Sequence, residues 1–226
     1  GADMTAAKEA SELVEKGFLT SSCCPAFVKF IKTKYPELVD KVSTNLSPMA
    51  ELAKFVKEEH PGSRVVFIGP CIAKKAEVRE KPASDYIDYA ITFEELQALF
   101  DSRNILLREQ ESVDWNQASY YGRNFARSGG VAEAVAQALK ELDITDFKFD
   151  PVVCDGIDKC KQALNRANKG ALTNNFIEGM ACIGGCVGGT GNLVRYEDAP
   201  EEMEEHIEDA SATSIIPNLR KAINII

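Results

Sequence analysis

The 226-residue sequence contains no long apolar run, no long basic tract and only two histidines. Its apolar stretches, such as residues 65–68, are far shorter than the ~20 residues that a membrane span requires. A basic-then-apolar secretory leader is also missing from the start of the chain. The net charge of −9, without a basic tract, argues against nucleic acid as a partner. We therefore expect a soluble, cytoplasmic protein with neither membrane nor nucleic-acid partners.

Cysteine, by contrast, is present seven times, which is an odd number, and Cys23 and Cys24 are adjacent. A bridge between adjacent cysteines is strained, so a disulfide framework explains this pattern poorly. Free thiols suit a reducing compartment. Cys154 and Cys160 could hold an accessory metal, but no second close pair or histidine complements them, so we interpret them as structural thiols.

Helical and strand patterns alternate along the chain. Residues 5–16 form one apolar helical face, for which Thr5 is the predicted N-cap and Gly17 the predicted stop. A second predicted helix begins at Pro25, and further helices are predicted at 48–59, 93–100, 131–142 and 157–168. The predicted strands are 64–68, 86–92, 147–154 and 176–180. This alternation predicts an α/β protein with parallel sheets flanked by helices and binding turns at strand ends. The stretch 101–125 is polar and irregular, and the acidic stretch 197–209 is predicted to be a solvated face or a connection.

Four cysteines lie in three turns rich in glycine and proline, T-S-S-C-C-P, I-G-P-C-I-A-K-K-A-E and E-G-M-A-C-I-G-G-C-V-G-G. They are Cys24, Cys71, Cys182 and Cys186. Four thiolates are the usual ligands of a cubane iron–sulfur cluster. Pro25 places Cys24 near a helix N-terminus, which favours a thiolate. The glycines around Cys182 and Cys186 let the backbone approach a bound group closely. The pattern therefore indicates redox chemistry, although four thiolates could also hold a structural zinc ion.

The three turns, in this order, resemble the signature motifs of the iron-only ([FeFe]) hydrogenases. The resemblance extends to G-A-D-M-T at the start, to D-Y-I-D-Y-A-I-T-F-E-E-L and to S-G-G-V-A-E-A, and so covers most of residues 1–195. It implies the domain that carries the H-cluster, a [4Fe-4S] cluster joined to a two-iron subsite with CO and cyanide ligands. It also implies reversible reduction of protons to H2 in the cytoplasm of an anaerobe, and two lobes, residues 1–120 with the first two motifs and 121–226 with the third, with the cluster between them.

The resemblance also assigns roles to single residues. Cys24, Cys71, Cys182 and Cys186 hold the cubane, and Cys186 bridges to the two-iron subsite. Lys74 hydrogen-bonds a cyanide, although a surface lysine is the usual case without the motif. Three further residues match positions around the cofactor, namely Met180, Phe125 and Pro70. A core methionine would look the same as Met180 in sequence.

A thiol beside the cluster but surplus to it could relay protons, because its pKa can be tuned. The resemblance implies a proton route formed by Cys23, Glu9, Ser43 and Glu12. Glu9 and Glu12 share a helix face because they are three residues apart. Without the resemblance, a solvated face is the ordinary interpretation of both glutamates.

Several positions depart from the common pattern of the family. Gly69, Ala50 and Phe27 replace methionine, glutamine and tryptophan, and G-G-T-G-N-L replaces G-G-G-Q-P. We therefore expect a divergent subgroup, and the rate and direction of catalysis stay open. The strand–helix segment and the ferredoxin-like modules that precede G-A-D-M-T in the family are missing, so we expect an excised fragment that is inactive alone and self-associates through an unpaired strand edge.

Expected partners are H2, protons, and a ferredoxin or the protein's own N-terminal iron–sulfur domains as electron donor. The fragment from an ordinary expression host is expected to carry at most a cubane. The main alternative is an iron–sulfur sensor or assembly protein that holds a cubane without turnover. Cys23, Lys74 and the two glutamates favour the enzyme, since neither a sensor nor a zinc module needs them.

Overall fold

Fifteen helices and strands form the chain in a computed structural model that describes residues 1–113, 116–194 and 200–223. The α-helices are α1 (Ala2–Lys16), α2 (Pro25–Lys34), α3 (Pro48–Glu59), α4 (Ile72–Glu77), α5 (Phe93–Ser102), α6 (Tyr120–Asn124), α7 (Gly130–Glu141), α8 (Ile157–Asn168), α9 (Pro200–Glu208) and α10 (Ile216–Ile223). The strands are β1 (Leu19–Thr20), β2 (Val66–Ile68), β3 (Tyr89–Ile91), β4 (Pro151–Asp155) and β5 (Phe176–Met180).

The strands form two sheets, and every strand pair in them is parallel. One sheet has the order β1-β5-β4, with Leu19 opposite Phe176 and Cys154 opposite Gly179. The other sheet pairs β2 with β3. Helices flank both sheets, so the predicted α/β fold class with parallel sheets is confirmed. Parallel strands place the loops after their carboxyl ends at one edge of the sheet.

The central strand β5 is buried along its whole length and separates two cores. On one face, Phe176 and Met180 pack with α1 and α7, and on the other, Ile177 packs with α2 and α8. Phe27 of α2 is fully buried against Gly179, where a β-carbon would overlap the phenyl ring. The strand that leads into the third cysteine motif is therefore held from both sides.

Residues from both halves of the chain contribute to the three-stranded sheet. Strand β1 belongs to the first 120 residues but pairs with β5 near the other end. Helix α1 likewise packs against α7 in the same core. The division into two lobes between residues 120 and 121 stays a prediction. A boundary at that point would assign β1 to the first lobe although it pairs with β5 of the second.

The structure corrects several element predictions. Helix α1 begins at Ala2 with Gly1 as N-cap, so Thr5 is not the cap: it lies inside the helix, fully buried, and its hydroxyl donates to the carbonyl of Leu46 at 3.4 Å. The first strand, α4, α6, α9 and α10 were not predicted. Predicted strand 147–154 is shorter at its start, because β4 begins at Pro151.

The acidic stretch 197–209 includes helix α9, which places Ile207 in the interior with 2% exposure. Residues 197–199 lie outside the described part of the chain, so the prediction of a solvated connection stays a prediction for them. Within residues 1–113, 116–194 and 200–223, no helix is long and apolar enough to cross a membrane.

Candidate metal centre

A cavity of about 260 Å³ lies where the loops after β2 and β5 meet the N-termini of α2 and α4. All four cysteines of the three motifs line this cavity. Its other functional candidates are Cys23, Lys74 and Met180, so the lining includes Cys23, Cys24, Cys71, Lys74, Met180, Cys182 and Cys186. The fold thus brings together motif cysteines that lie as far apart in sequence as Cys24 and Cys186.

Two of the thiols occupy helix N-caps. Cys24 is the N-cap of α2, with Pro25 at the first helical position, and Cys71 is the N-cap of α4. The unpaired N–H groups and the positive end of the dipole at a helix N-terminus stabilise nearby negative charge. Each of these two cysteines lies at a helix N-terminus, which favours the thiolate form that iron binding would require.

The third motif needs glycine because its backbone passes close to another turn. Gly185 has φ +76°, and a β-carbon there would lie 2.6 Å from the carbonyl oxygen of Ala126 and 2.7 Å from the amide nitrogen of Ser128. The next amide, that of Cys186, donates to the Ala126 carbonyl at 2.7 Å. This contact fixes the backbone of Cys186 at the cavity.

Burial raises the pKa of three of the cavity thiols. It raises the pKa of Cys186 to about 12, with a further contribution from the negative charge of Cys24. Burial also raises the pKa of Cys182 and, well above its ordinary value, that of Cys23. Iron must therefore displace protons when the ligand thiols bind as thiolates, since metal ligation requires the deprotonated form.

Lys74 is buried at the cavity wall with 7% exposure. Its ammonium donates to the backbone carbonyl of Cys23 at 3.0 Å and to Oε2 of Glu77 at 2.8 Å, and Ser47 donates to the other Glu77 oxygen at 2.6 Å. An ammonium has three N–H donors. Among the described residues, one donor is left over for an anionic group in the cavity.

The two glutamates of α1 have different surroundings. Glu9 is fully buried and accepts from the amide of Ser22 at 3.2 Å, so the solvated-face interpretation is wrong for it. Burial raises its pKa to about 7. Glu12 is partly exposed and accepts from the Ser43 hydroxyl at 2.7 Å and the Lys16 ammonium at 2.6 Å. Burial raises the pKa of Glu12, but the hydrogen bonds from Lys16, Thr44 and Ser43 outweigh it and leave that pKa below its ordinary value.

We expect Glu9→Gln to make the protein more stable above pH 7. Glu9 holds its proton more tightly in the folded state, where its pKa is about 7, than in the unfolded state, where it is about 4.5. Its contribution to stability is therefore full below about pH 4.5 and is lost as the pH rises to about 7. Glutamine carries no charge, so the gain at pH 8 is on the order of 1–3 kcal/mol.

Urea unfolding of both proteins at pH 5 and pH 8 measures this effect. Glu15→Gln, which alters an exposed carboxylate of the same helix, is the matched control and should leave the pH dependence unchanged. Equal pH dependence in Glu9→Gln and the unaltered chain would contradict the prediction.

Two residues predicted to lie around the cofactor are not in the cavity lining. Phe125 is buried in the core against α1 and α7. Pro70 acts through its backbone, since its carbonyl accepts from the amide of Gly191 at 2.9 Å and so ties the second motif to the third. Cys154 and Cys160 are buried in the core beside α2, as expected for structural thiols.

Sequence reasoning missed two polar groups near the site. Ser22 connects Glu9 to the first motif through its amide, and its hydroxyl donates to the carbonyl of Asn45 at 2.9 Å. Glu178 is a carboxylate inside the buried strand β5. The signal for Glu178 was a single charged residue within the apolar run F-I-E-G-M.

The donor set fits an iron–sulfur cluster. Four thiols line one cavity. In the third motif, which closes this cavity, Gly185 lets the backbone pass close to a neighbouring turn. Among the described residues, no group of three or more His, Cys, Asp or Glu side chains is arranged to hold a single metal ion.

Comparisons with known proteins agree with the site. The family described as "Iron only hydrogenase large subunit, C-terminal domain" matches residues 1–190. The large subunit of the periplasmic [Fe] hydrogenase of Nitratidesulfovibrio vulgaris is 31% identical over 98% of this chain and 63% of its own length. Cytosolic iron-sulfur assembly component 3 of Pongo abelii is 22% identical over 84% of this chain and 50% of its own length.

A solved structure of a variant of the [FeFe]-hydrogenase HydA1 from Chlamydomonas reinhardtii has the same fold, with a TM-score of 0.74 and 20% identity over 99% of this chain and 77% of that chain. The chain spans 42% to 63% of the length of the first curated hydrogenases that it matches. The low identities fit a divergent member. The chain belongs to the family formed by the C-terminal domains of iron-only hydrogenase large subunits.

Proposed function

We propose that this chain is the catalytic H-cluster domain of an [FeFe] hydrogenase, which interconverts H2 with two protons and two electrons. The observation that carries the proposal is the single cavity lined by four motif cysteines together with Cys23 and Lys74. Membership of the hydrogenase family supports it. A ferredoxin-type donor and a cytoplasmic location belong to the same proposal.

Cys24, Cys71, Cys182 and Cys186 would hold the cubane, with Cys186 shared with the two-iron subsite. When bound, the H-cluster would supply the redox chemistry that interconverts H2 with two protons and with two electrons exchanged with the donor. Lys74 would direct its remaining N–H donor to a cyanide ligand, since two of its donors already bind Cys23 and Glu77. Met180 would pack against the subsite from the end of β5.

The chain also contains groups that could move protons to the cavity. Glu12 is partly exposed and accepts from the Ser43 hydroxyl, whereas the buried Glu9 accepts from Ser22 and leaves its Oε2 without a hydrogen-bond partner among the described residues. Glu9 in turn accepts from the amide of Ser22, next to Cys23, whose pKa is raised by burial first and by the Glu9 carboxylate second. A second cavity of about 860 Å³ has Ser22 and Ser43, among others, in its lining. We infer that protons pass between solvent and the Cys23 thiol through Glu12, Ser43 and Glu9.

The second candidate function is cluster binding without turnover, as in an iron–sulfur sensor or assembly protein. The likeness to cytosolic iron-sulfur assembly component 3 favours it. The higher identity to the hydrogenases favours the enzyme. The two candidates differ in whether the loaded protein turns over H2, and not in whether it binds iron.

The deciding experiment measures H2 evolution from a low-potential donor by the full-length protein matured with its dedicated maturation proteins. We expect turnover, together with infrared bands of iron-bound CO and cyanide. A protein that holds a complete cubane but shows neither signal would support the sensor or assembly function instead.

We expect the present chain, made in an ordinary host and reconstituted anaerobically with iron and sulfide, to hold at most one cubane and no two-iron subsite. The four thiols suffice for a cubane, whereas the subsite requires maturation. Iron and sulfide analysis and infrared spectroscopy check this. Infrared bands from CO or cyanide in such material would contradict the expectation, and we expect no H2 turnover by the chain alone.

A further inference from the structure

Glu178 is the only charged residue in β5 and is fully buried there. Side chains alternate along a strand, so it projects to the same side as Phe176 and Met180, into the core with α1 and α7. No cation forms a salt bridge with it within residues 1–113, 116–194 and 200–223. A buried carboxylate without a cation is costly, and an uncharged side chain would avoid that cost.

The two carboxylate oxygens bind the N-terminus of α7, one at its N-cap and the other in its first turn. One accepts from the amide of Gly129 at 2.6 Å, and the other accepts from the amide of Ala132 at 2.8 Å. Gly129 has φ +95° and is the N-cap of α7, but glycine has no side-chain acceptor with which to cap the helix. Glu178 therefore supplies the cap from a neighbouring strand and fixes the turn on β5.

The same turn contacts the third cysteine motif on its other side. The Ala126 carbonyl accepts from the Cys186 amide at 2.7 Å, and Arg127 forms an antiparallel bridge with Gly185. The space at Gly185 is closed by Ala126 and Ser128. Residues 126–129, which we call the positioning turn, thus lie between the Glu178 carboxylate and the backbone of Cys186.

We propose that Glu178 is a positioning residue, which fixes the Cys186 thiol at the cavity through the positioning turn. The use of that thiol as a cluster ligand rests on the proposed function, but the mechanical link does not. Loss of the two hydrogen bonds frees the turn from β5, and the Cys186 backbone loses the rigid acceptor that holds it. Cys23, Cys24 and Cys71 follow other elements, so we expect the effect to be confined to the third motif and to be largest at Cys186.

The test compares Glu178→Gln and Glu178→Ala with the unaltered 226-residue chain before iron is added. Glutamine is nearly isosteric but replaces one acceptor with an N–H₂ group that faces a backbone N–H. Iodoacetamide labelling, followed by mass spectrometry, measures the alkylation rate of Cys186 relative to Cys71 in the same molecule. We expect this ratio to rise roughly tenfold in Glu178→Gln and more in Glu178→Ala, as for loss of a hydrogen bond to a buried charged group.

Glu133→Gln is the matched control, because it alters an exposed carboxylate in the first turn of the same helix, which accepts from the Asn124 side chain and, among the described residues, from no other side chain. It should leave the ratio unchanged. Circular dichroism checks the fold of each variant. An unchanged ratio in both folded Glu178 variants would overturn the proposal, and unfolding of both would do the same by showing a general rather than local role.

A second measurement follows iron release to a chelator after reconstitution. We expect Glu178→Gln to lose iron several-fold faster than Glu133→Gln, again on the scale of one hydrogen bond to a charged group. If the unaltered chain binds no iron at all, the proposed function fails while the alkylation ratio still decides the role of Glu178. An unchanged rate of iron release, together with a raised Cys186 to Cys71 alkylation ratio, would mean that Glu178 does not position Cys186 for a cluster. The link between Glu178 and cluster binding would then be wrong.

Discussion

Replacing Cys23 by alanine is expected to lower H2 turnover of the matured, full-length protein by about 10²–10⁴-fold, the usual loss for a proton-transfer group. Cys23 lines the cavity, and its pKa is raised by burial and, next, by the buried carboxylate of Glu9. The thiol is surplus to the four cubane ligands. Cluster iron should therefore stay at the level of the unaltered protein while H2 evolution and H2 uptake both fall.

Two other cysteine variants separate proton transfer from ligation and from packing. Cys24→Ala removes a proposed ligand at the N-cap of α2 and should lower the iron content itself. Cys160→Ala removes a fully buried thiol that does not line the cavity, and should leave both iron and turnover unchanged. Full turnover by Cys23→Ala with a complete cluster would show that protons reach the site by another route.

Replacing Gly185 by alanine is expected to reduce the iron that the reconstituted chain retains by roughly tenfold or more, since each 1.4 kcal/mol lost changes a binding constant tenfold. The added methyl would lie 2.6 Å from the Ala126 carbonyl oxygen and 2.7 Å from the Ser128 amide nitrogen. Both are backbone atoms and cannot rotate away. The third motif must separate from the positioning turn, and the hydrogen bond that fixes Cys186 is lost with it.

Gly170→Ala is the matched control, because Gly170 also has positive φ, +65°, but open space where the methyl would lie. It carries the conformational strain alone, which costs about 1–2 kcal/mol, and should retain iron normally. Iron analysis after gel filtration and the visible absorption of the cluster measure the difference. Equal iron in the two variants would mean that strain, and not the contact with the positioning turn, limits Gly185.

The elements with strong local signals were predictable from sequence. Helix α8 and strand β5 have the predicted bounds. Gly156, with φ +89°, is the N-cap at which α8 begins, and β5 is a short apolar run. Strand β1 has only two residues, which is too short for any periodic pattern. Threonine is a common N-cap residue, but the Thr5 hydroxyl donates to the carbonyl of Leu46 instead. A local sequence pattern cannot reveal this tertiary contact.

The candidate site was predictable only as far as the motifs reach. The motifs named the four cysteines and Lys74, and the fold brings all five to one cavity. They could not show that Phe125 lies in the core instead of at the cavity, because aromatic residues suit both places. The role of Glu178 could not be predicted, because its hydrogen-bond donors, the amides of Gly129 and Ala132, lie more than 40 positions earlier in the chain.

The pairing of β1 with β5 bears on when the cavity can form during synthesis. Leu19 finds its partner Phe176 only after more than 150 further residues have been added. Ribosomes add about 5–20 residues per second, so the first motif waits on the order of ten seconds or longer for the strand that positions it. The last proposed ligand, Cys186, emerges later still. The proposed cluster would therefore be inserted after Cys186 has been made, and Cys23 and Cys24 would lie without their partner strand while the polypeptide is still growing.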